Sequence, residues 1–344
     1  MNIGLFTSVY FNNIGNGFID LGAEVALREA ASPGDNIIKV SQCANFAASM
    51  SKAFAIKENP IINWLWVATM QKFASRLQDK TYKAVEAENV ISVVDMMQLD
   101  ILVIPGCVLT VPFFTIYGKL LRKKIKEGCK LVFLGASGNF YSEYEIQIVS
   151  EYLEQLKPLA ILTRDSVAYE KYSKYAEFSY NGIDNVFYVN RLNLPKVKTT
   201  PEDYIIVNIE EPKHNTIKKD LMKQLTEQGE NVIFTNHKPY PYKKLSSMIR
   251  GGVIASDYPL DYLILYKNAK MVYSDRVHAC IPHMSFGHPA VLYSDSPRKA
   301  LFENVGIDKI DRNPMIVSGL TERQNCQIDY LKKILEEFRL KVQK

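Results

Sequence analysis

Short runs of consecutive apolar residues alternate with helix-length amphipathic segments along almost the whole chain, and this rhythm limits the fold more than any other feature. In the first half the apolar runs are residues 3–6, 37–40, 101–104, 130–134 and 159–162. Helical patterns over 18–31, 112–126, 143–156 and 166–176 follow four of them. Strands that are apolar at every position are buried on both faces, which implies parallel sheets covered by helices. The rhythm restarts at 204–209, 231–234, 253–254, 271–273 and 290–293, with helices predicted over 217–228, 242–249, 260–268 and after 278. Residues 43–80, helical in composition and carrying Trp64 and Trp66, interrupt the first series as an inserted helical pair. Residues 191–203 hold two prolines and no periodicity, the mark of a linker. The expected architecture is α/β: an N-terminal Rossmann-like domain (1–190), a linker (191–203) and a C-terminal Rossmann-like domain (204–320). An amphipathic helix (321–344) with a stripe of Ile328, Leu331, Ile334, Leu335 and Phe338 closes the chain. The two parallel sheets are expected to face each other across a cleft, with ligands beyond the carboxyl ends of the strands.

At 344 residues, 47% of them hydrophobic and 23% charged, the chain has material for two well-cored domains. A net charge of +5 suits anionic small molecules and excludes the dense basic face of a nucleic-acid binder. Five cysteines, Cys43, Cys107, Cys129, Cys280 and Cys326, are scattered without pairing, as in a reduced compartment. No charged leader precedes the first apolar run, and none reaches the roughly 18 residues of a spanning helix. The protein is therefore expected to be soluble and cytoplasmic. The basic run at 122–126 is read first as a solvated helix face, and second as a means of peripheral contact with the inner face of a membrane.

Chemistry concentrates in residues 274–306. An apolar strand runs into Ser274-Asp275, after which Arg276 and His278 stand where a helix begins; Gly287, Pro289, a second strand, Lys299 and Gly306 follow. Arginine and histidine delivered to a helix N-terminus, where free N–H groups and the dipole favour negative charge, make a site for an anion. Arg276 either grips that anion or pairs with Asp275, and Lys299 either supports it or is solvated. His278 is a proton donor or a core histidine. Pro282 falls inside the helix and predicts a kink or a late start. Upstream, Arg164-Asp165-Ser166 follows a strand and reads as an anion ligand or as a charged cap, with Ser166 the capping side chain. Asn13, Gly15 and Asn16 form a strand-to-helix turn, as do Ser137 and Asn139, and Asn236 and His237 follow another strand. A metal held by His278, His283 and His288 is rejected, because five helical residues turn the side chain by about 140°.

Taken together, Arg276-x-His278, Gly287-x-Pro289, Lys299 and Gly306, with Arg164-Asp165-Ser166 and the Asn13–Asn16 turn, resemble the polysaccharide pyruvyl transferase family. That resemblance implies a GT-B-like fold and transfer of a pyruvyl group from phosphoenolpyruvate, a substrate with no cofactor beside it, to a sugar as a ketal. It implies His278 as general acid, Arg276, Arg164, Lys299 and Ser166 on the donor, and the turns at Asn13, Gly15, Asn16, Ser137, Asn139, Asn236 and His237 on the acceptor or the cleft. Partners are then a small anionic donor and a saccharide acceptor. Asn16 stands where the family tends to carry Asp, and Pro105-Gly106-Cys107 where it tends to run glycines. Two alternatives stay open: a glycosyltransferase using a nucleotide sugar, and a non-catalytic sugar-binding relative.

Overall fold

The computed structural model describes residues 1–7, 13–41, 93–237, 252–256, 258–294, 296–310 and 312–342. The helical insertion expected at 43–80 and the helix expected at 242–249 lie outside the described residues. The elements run β1 (Asn2–Thr7), α1 (Ile14–Ala30), β2 (Asn36–Ser41), β3 (Ile101–Pro105), α2 (Val111–Lys126), β4 (Lys130–Ala136), α3 (Glu143–Leu156), β5 (Ala160–Thr163), α4 (Ser166–Tyr172) and β6 (Phe178–Asn181). Then come β7 (Ile205–Asn208), α5 (Asn215–Glu227), β8 (Val232–Thr235), β9 (Val253–Ile254), α6 (Pro259–Asn268), β10 (Met271–Ser274), α7 (Val277–Ser285), β11 (Ala290–Leu292) and α8 (Leu320–Val342). By internal contacts they form two compact units. One is Met1–Ser8, Pro33–Thr163 and Val167–Tyr180; the other is Val9–Ser32, Arg164–Ser166 and Asn181–Lys344.

The first unit holds a six-stranded sheet in the order β2-β1-β3-β4-β5-β6, with β1 to β5 mutually parallel. Every residue of β3 and β5 is buried, as continuous apolar runs require. Thr110 accepts a hydrogen bond from the Phe113 N–H and starts α2, which Pro112 suits, having no N–H to lose in the first turn. Ser142 caps α3 in the same way through the Glu145 N–H. Phe6, Leu102, Ile104, Phe114, Tyr117, Leu121, Phe133, Leu153 and Tyr172 form one contiguous core.

The second unit holds the sheet β11-β10-β7-β8-β9, parallel throughout. Successive crossovers leave β7 in opposite directions, so the switch point lies between the carboxyl ends of β7 and β10, the crevice where such sheets bind ligands. Two parallel α/β sheets agree with the fold class expected from the alternation of runs.

The contacts divide the chain elsewhere than at residue 190. Helix α1 and residues 181–190 belong with the C-terminal sheet, together with Arg164–Ser166. The physical reason is packing of α1 and α8 on the 3-10 helix Asn185–Arg191. Gln324 in α8 donates to the Phe187 carbonyl (2.6 Å), Gln327 accepts from the Ile183 N–H (2.7 Å), and Tyr188 donates its hydroxyl proton to the Gln324 carbonyl (3.2 Å). On α1, the bare Cα of Gly22 lies so close to this segment that a Cβ would meet the Asn185 carbonyl oxygen at 1.8 Å. A helix propensity scale rewards Gly→Ala; here the backbone contact reverses the sign. Gly22→Ala should lower stability by about 1–3 kcal/mol, as overpacking does. Thermal unfolding would show a lower Tm, and an unchanged or raised Tm would contradict the packing.

Candidate functional site

The site is built in the second unit from the ends of β7, β8 and β10 and the starts of α1 and α7. After β10 the Ser274 hydroxyl donates to the Asn208 carbonyl (2.9 Å) and accepts from the Arg276 N–H (2.8 Å), turning the chain. Arg276 then takes extended backbone as the N-cap of α7. The alternative, an ion pair with Asp275, is absent among the described residues. The buried Asp275 carboxylate instead accepts from the N–H groups of Glu210 (3.0 Å) and Glu211 (2.8 Å) and contacts His214 Nδ1 (3.1 Å). Arg276 Nη2 donates to the Asn13 side-chain oxygen at 3.1 Å, and the same oxygen accepts from the Gly15 N–H at 3.2 Å, capping α1. Two helix N-termini and one guanidinium thus converge.

Helix α7 begins at Val277, later than Asp275, and runs on through Pro282. Pro282 has no N–H to give the carbonyl four residues back, which belongs to His278. The His278 side chain is 11% exposed. Its Nε2 lies 3.3 Å from Asp184 Oδ2, and that same oxygen accepts from Arg164 Nη1 at 2.7 Å. On the other side of the ring stands Gly15: a Cβ there would lie 3.0 Å from His278 Cβ and 3.2 Å from Nδ1. Glycine at 15 therefore lets the start of α1 approach the imidazole directly.

Asp184 is the residue that sequence reasoning missed. It is fully buried, it caps the 3-10 helix by accepting from the Val186 N–H (2.8 Å), and it joins Arg164 to His278. Burial alone would raise its carboxyl, but Arg164 and then His278 outweigh burial and hold it well below the usual carboxylate range. His278 is pushed below the usual histidine value by burial; Asp184 opposes that, while Arg164 and Arg298 add to it. The only signal for Asp184 in the sequence is an Asp-Asn pair placed to cap a short helix. Arg164, counted in the N-terminal domain by the expected boundary at 190, lies in the same compact unit as His278, 1% exposed, with one guanidinium nitrogen on Asp184.

The remaining candidates separate. Ser166 is the first residue of α4, and its hydroxyl donates to Asn304 (3.2 Å). Asn16 lies in the first turn of α1. Asn236 and His237 are buried at the end of β8, and the Asn236 carbonyl accepts from the Tyr262 hydroxyl. Lys299 is exposed on the 3-10 helix Pro297–Val305, and it is Arg298 beside it whose charge His278 feels. Ser137 and Asn139 belong to the first unit, where the N–H groups of Asn139, Phe140 and Tyr141 all donate to Glu145 Oε1 (2.9, 3.1 and 3.1 Å). That turn already holds a carboxylate from its own chain.

Burial holds His237 and His278 below the ordinary histidine value of 6.5 and brings His283 down to about 4. The unfolded chain binds these protons first as pH falls, so the stability they contribute is complete above about 6.5 and is lost below it. Tm should fall steadily between pH 7 and pH 5; a flat profile over that range would contradict neutral buried histidines. Asp184→Asn, which removes the carboxylate that Arg164 pairs with in the interior, should cost about 3–5 kcal/mol in denaturant unfolding at pH 7.

Among solved structures the chain is similar to UDP-GlcNAc 2-epimerase from Methanocaldococcus jannaschii in complex with UDP-GlcNAc and UDP. Identity is 13%, TM-score 0.53, and coverage 99% of this chain and 100% of that one. The UDP-GlcNAc 2-epimerase of Neisseria meningitidis bound to UDP-GlcNAc gives 12%, 0.51, 99% and 100%. The S. aureus MnaA-UDP co-structure gives 12%, 0.52, 97% and 91%. At such identities the likeness establishes the shared GT-B-like fold and nothing about ligands. No curated protein sequence matches the chain. Among the described residues no helix is long and apolar enough to cross a membrane. The sequence model of the polysaccharide pyruvyl transferase family matches residues 33–297, most of the chain, and the protein therefore belongs to that family of transferases.

Proposed function

We propose that this protein transfers the pyruvyl group of phosphoenolpyruvate to two hydroxyls of a sugar in a polysaccharide or its precursor, forming a ketal and releasing inorganic phosphate. One observation carries the reading. His278 sits at the start of α7 with Nε2 on the Asp184–Arg164 pair and Nδ1 toward the start of α1, where Arg276 meets Asn13. An enol phosphate reacts by protonation of its methylene carbon, which becomes the methyl group and leaves an oxocarbenium-like centre at C2. One sugar hydroxyl adds there and loses its proton, the C2–O bond to phosphate breaks, and the second hydroxyl closes the ring. Of the two hydroxyl protons, one balances the new methyl C–H and the other leaves on phosphate.

The first step needs an acid, and His278 Nδ1–H supplies it while Asp184 holds Nε2–H and the orientation of the ring. Without substrate, burial keeps the imidazole mostly neutral near pH 7. A bound phosphate and carboxylate shift it back toward the protonated form, so the substrate itself arms the acid. Arg276 and the two helix N-termini take the anionic groups. Arg164 acts through Asp184 as a positioning residue, because its charge is taken up there.

The amides next to the β7–β10 switch point speak against a nucleotide sugar. In a dinucleotide site the first strand-to-helix loop offers N–H groups to a diphosphate. Here Glu210 and Glu211 already give theirs to Asp275. The joining of Arg164, Asp184 and His278 in one buried chain of contacts speaks against a merely sugar-binding relative.

Incubation with phosphoenolpyruvate and oligosaccharide acceptors should release phosphate and add one pyruvate ketal to the acceptor mass. His278→Ala should lower turnover by roughly 10²–10⁴. Turnover that His278→Ala leaves intact would overturn the reading. Calorimetry in buffers of different ionisation enthalpy should show net proton uptake when phosphoenolpyruvate binds at pH 7.5, because binding raises a depressed histidine.

A further inference from the structure

A closed ring of hydrogen bonds frames the crevice beyond the ends of β7, β8 and β10. The Ile14 N–H, at the start of α1, donates to the His237 carbonyl (3.0 Å), and the His237 N–H donates to Glu210 Oε1 (2.6 Å). Glu210 gives its own N–H to Asp275 (3.0 Å), and Arg276, the next residue, returns to Asn13 beside Ile14 (3.1 Å). His214 joins this ring at Asp275. It ends the 3-10 helix Pro212–His214 and stands as the N-cap of α5 without giving its side chain to that helix.

The bonds around Asp275 fix the tautomer of His214. Asp275 Oδ2 already accepts from the N–H groups of Glu210 and Glu211 (2.8 Å), so Nδ1 of His214, 3.1 Å from that oxygen, carries the hydrogen between them. In the uncharged ring Nε2 then holds a lone pair. Among the described residues Nε2 has no hydrogen-bond partner. The side chain keeps 7% of its surface exposed, and Nε2 is not one of the polar atoms sealed from solvent. His283 is the contrast: its Nδ1 bonds the Tyr266 carbonyl (2.7 Å), and its Nε2 is shut in without a partner. An imidazole oriented by a buried carboxylate, with its other nitrogen accessible, has the form of a general base.

We propose that His214, oriented by Asp275, is the base that takes the proton of the attacking sugar hydroxyl. The inference rests on the pyruvyl-transfer reading above and supplies a step that it leaves without a residue. The hydroxyl oxygen bonds C2 as its O–H breaks, and Nε2 receives the proton. When the C2–O bond to phosphate breaks, the imidazolium returns that proton to the departing phosphate oxygen. The second hydroxyl closes the ketal ring and gives its proton to His278 Nδ1, which the first step left bare. Both histidines are thereby restored. Acid and base are needed in one encounter, and two imidazoles, each held by its own buried aspartate, divide the tasks: His278 on Asp184 and His214 on Asp275.

The test uses the full chain. Histidine-selective ¹⁵N spectra of the wild type should report, for the uncharged His214 ring, a protonated Nδ1 and an unprotonated Nε2. The Nε2 signal should shift when the oligosaccharide acceptor is added. His214→Asn keeps a donor near Nδ1 for Asp275 but holds no base. It should lower turnover by roughly 10²–10⁴, while calorimetry shows phosphoenolpyruvate affinity unchanged. Added imidazole should restore part of the turnover of His214→Ala, a rescue that a merely structural histidine would not give. The opposite tautomer, wild-type turnover in His214→Asn, or a loss of phosphoenolpyruvate affinity in step with turnover overturns this inference and leaves the proposed reaction standing. A wild type that releases no phosphate from phosphoenolpyruvate and oligosaccharide overturns both.

Discussion

The buried pair of Arg164 and Asp184 is the interaction on which the functional end of this molecule depends. Arg164 follows β5 and Asp184 follows β6, yet both are counted with the unit that holds the C-terminal sheet. A buried ion pair adds little net stability, because desolvation offsets most of its attraction, whereas losing one member leaves an uncompensated charge. Its effect is therefore positional. Asp184 can sit in the interior only with Arg164 beside it, and it holds His278 Nε2 only from there. The imidazole is left with one direction in which to exchange a proton.

Around that pair the second unit repeats one device: side chains of the chain itself satisfy polar groups that a different protein would leave for a ligand. Asp275 covers the amides after β7, and Asn13 caps α1 while accepting from Arg276. What faces the same place is then informative. The guanidinium of Arg276 and the dipole ends of α1 and α7 suit an anion, and the His278 ring stands between Asp184 and the start of α1.

The architecture was legible in the sequence because continuous apolar runs such as 101–104 and 204–209 leave few folds other than parallel sheets covered by helices. Arg276 and His278 were legible because local chain geometry, a strand followed by a helix start, places them. Asp184 was not, because a capping aspartate looks the same whether or not an arginine 20 residues earlier pairs with it in the interior. The positions of Ser137 and Asn139 in a turn filled by Glu145 were hidden for a similar reason. A strand-to-helix turn reads as an open anion site until the side chain that occupies it is known.

By itself the sequence determined most of the described strands and helices, the parallel pairing of β1 to β5 and of β7 to β11, and the family to which the chain belongs. These follow from short-range periodicity and from motifs within a few residues of one another. The tertiary structure decided the partition into units, since α1 and residues 181–190 join the C-terminal sheet through contacts that reach as far as α8. It also decided the burial and the partners of Arg164 and Asp184. Those partners lie far apart in the chain, and the cost or gain of a charge depends on the medium around it, which no local pattern encodes.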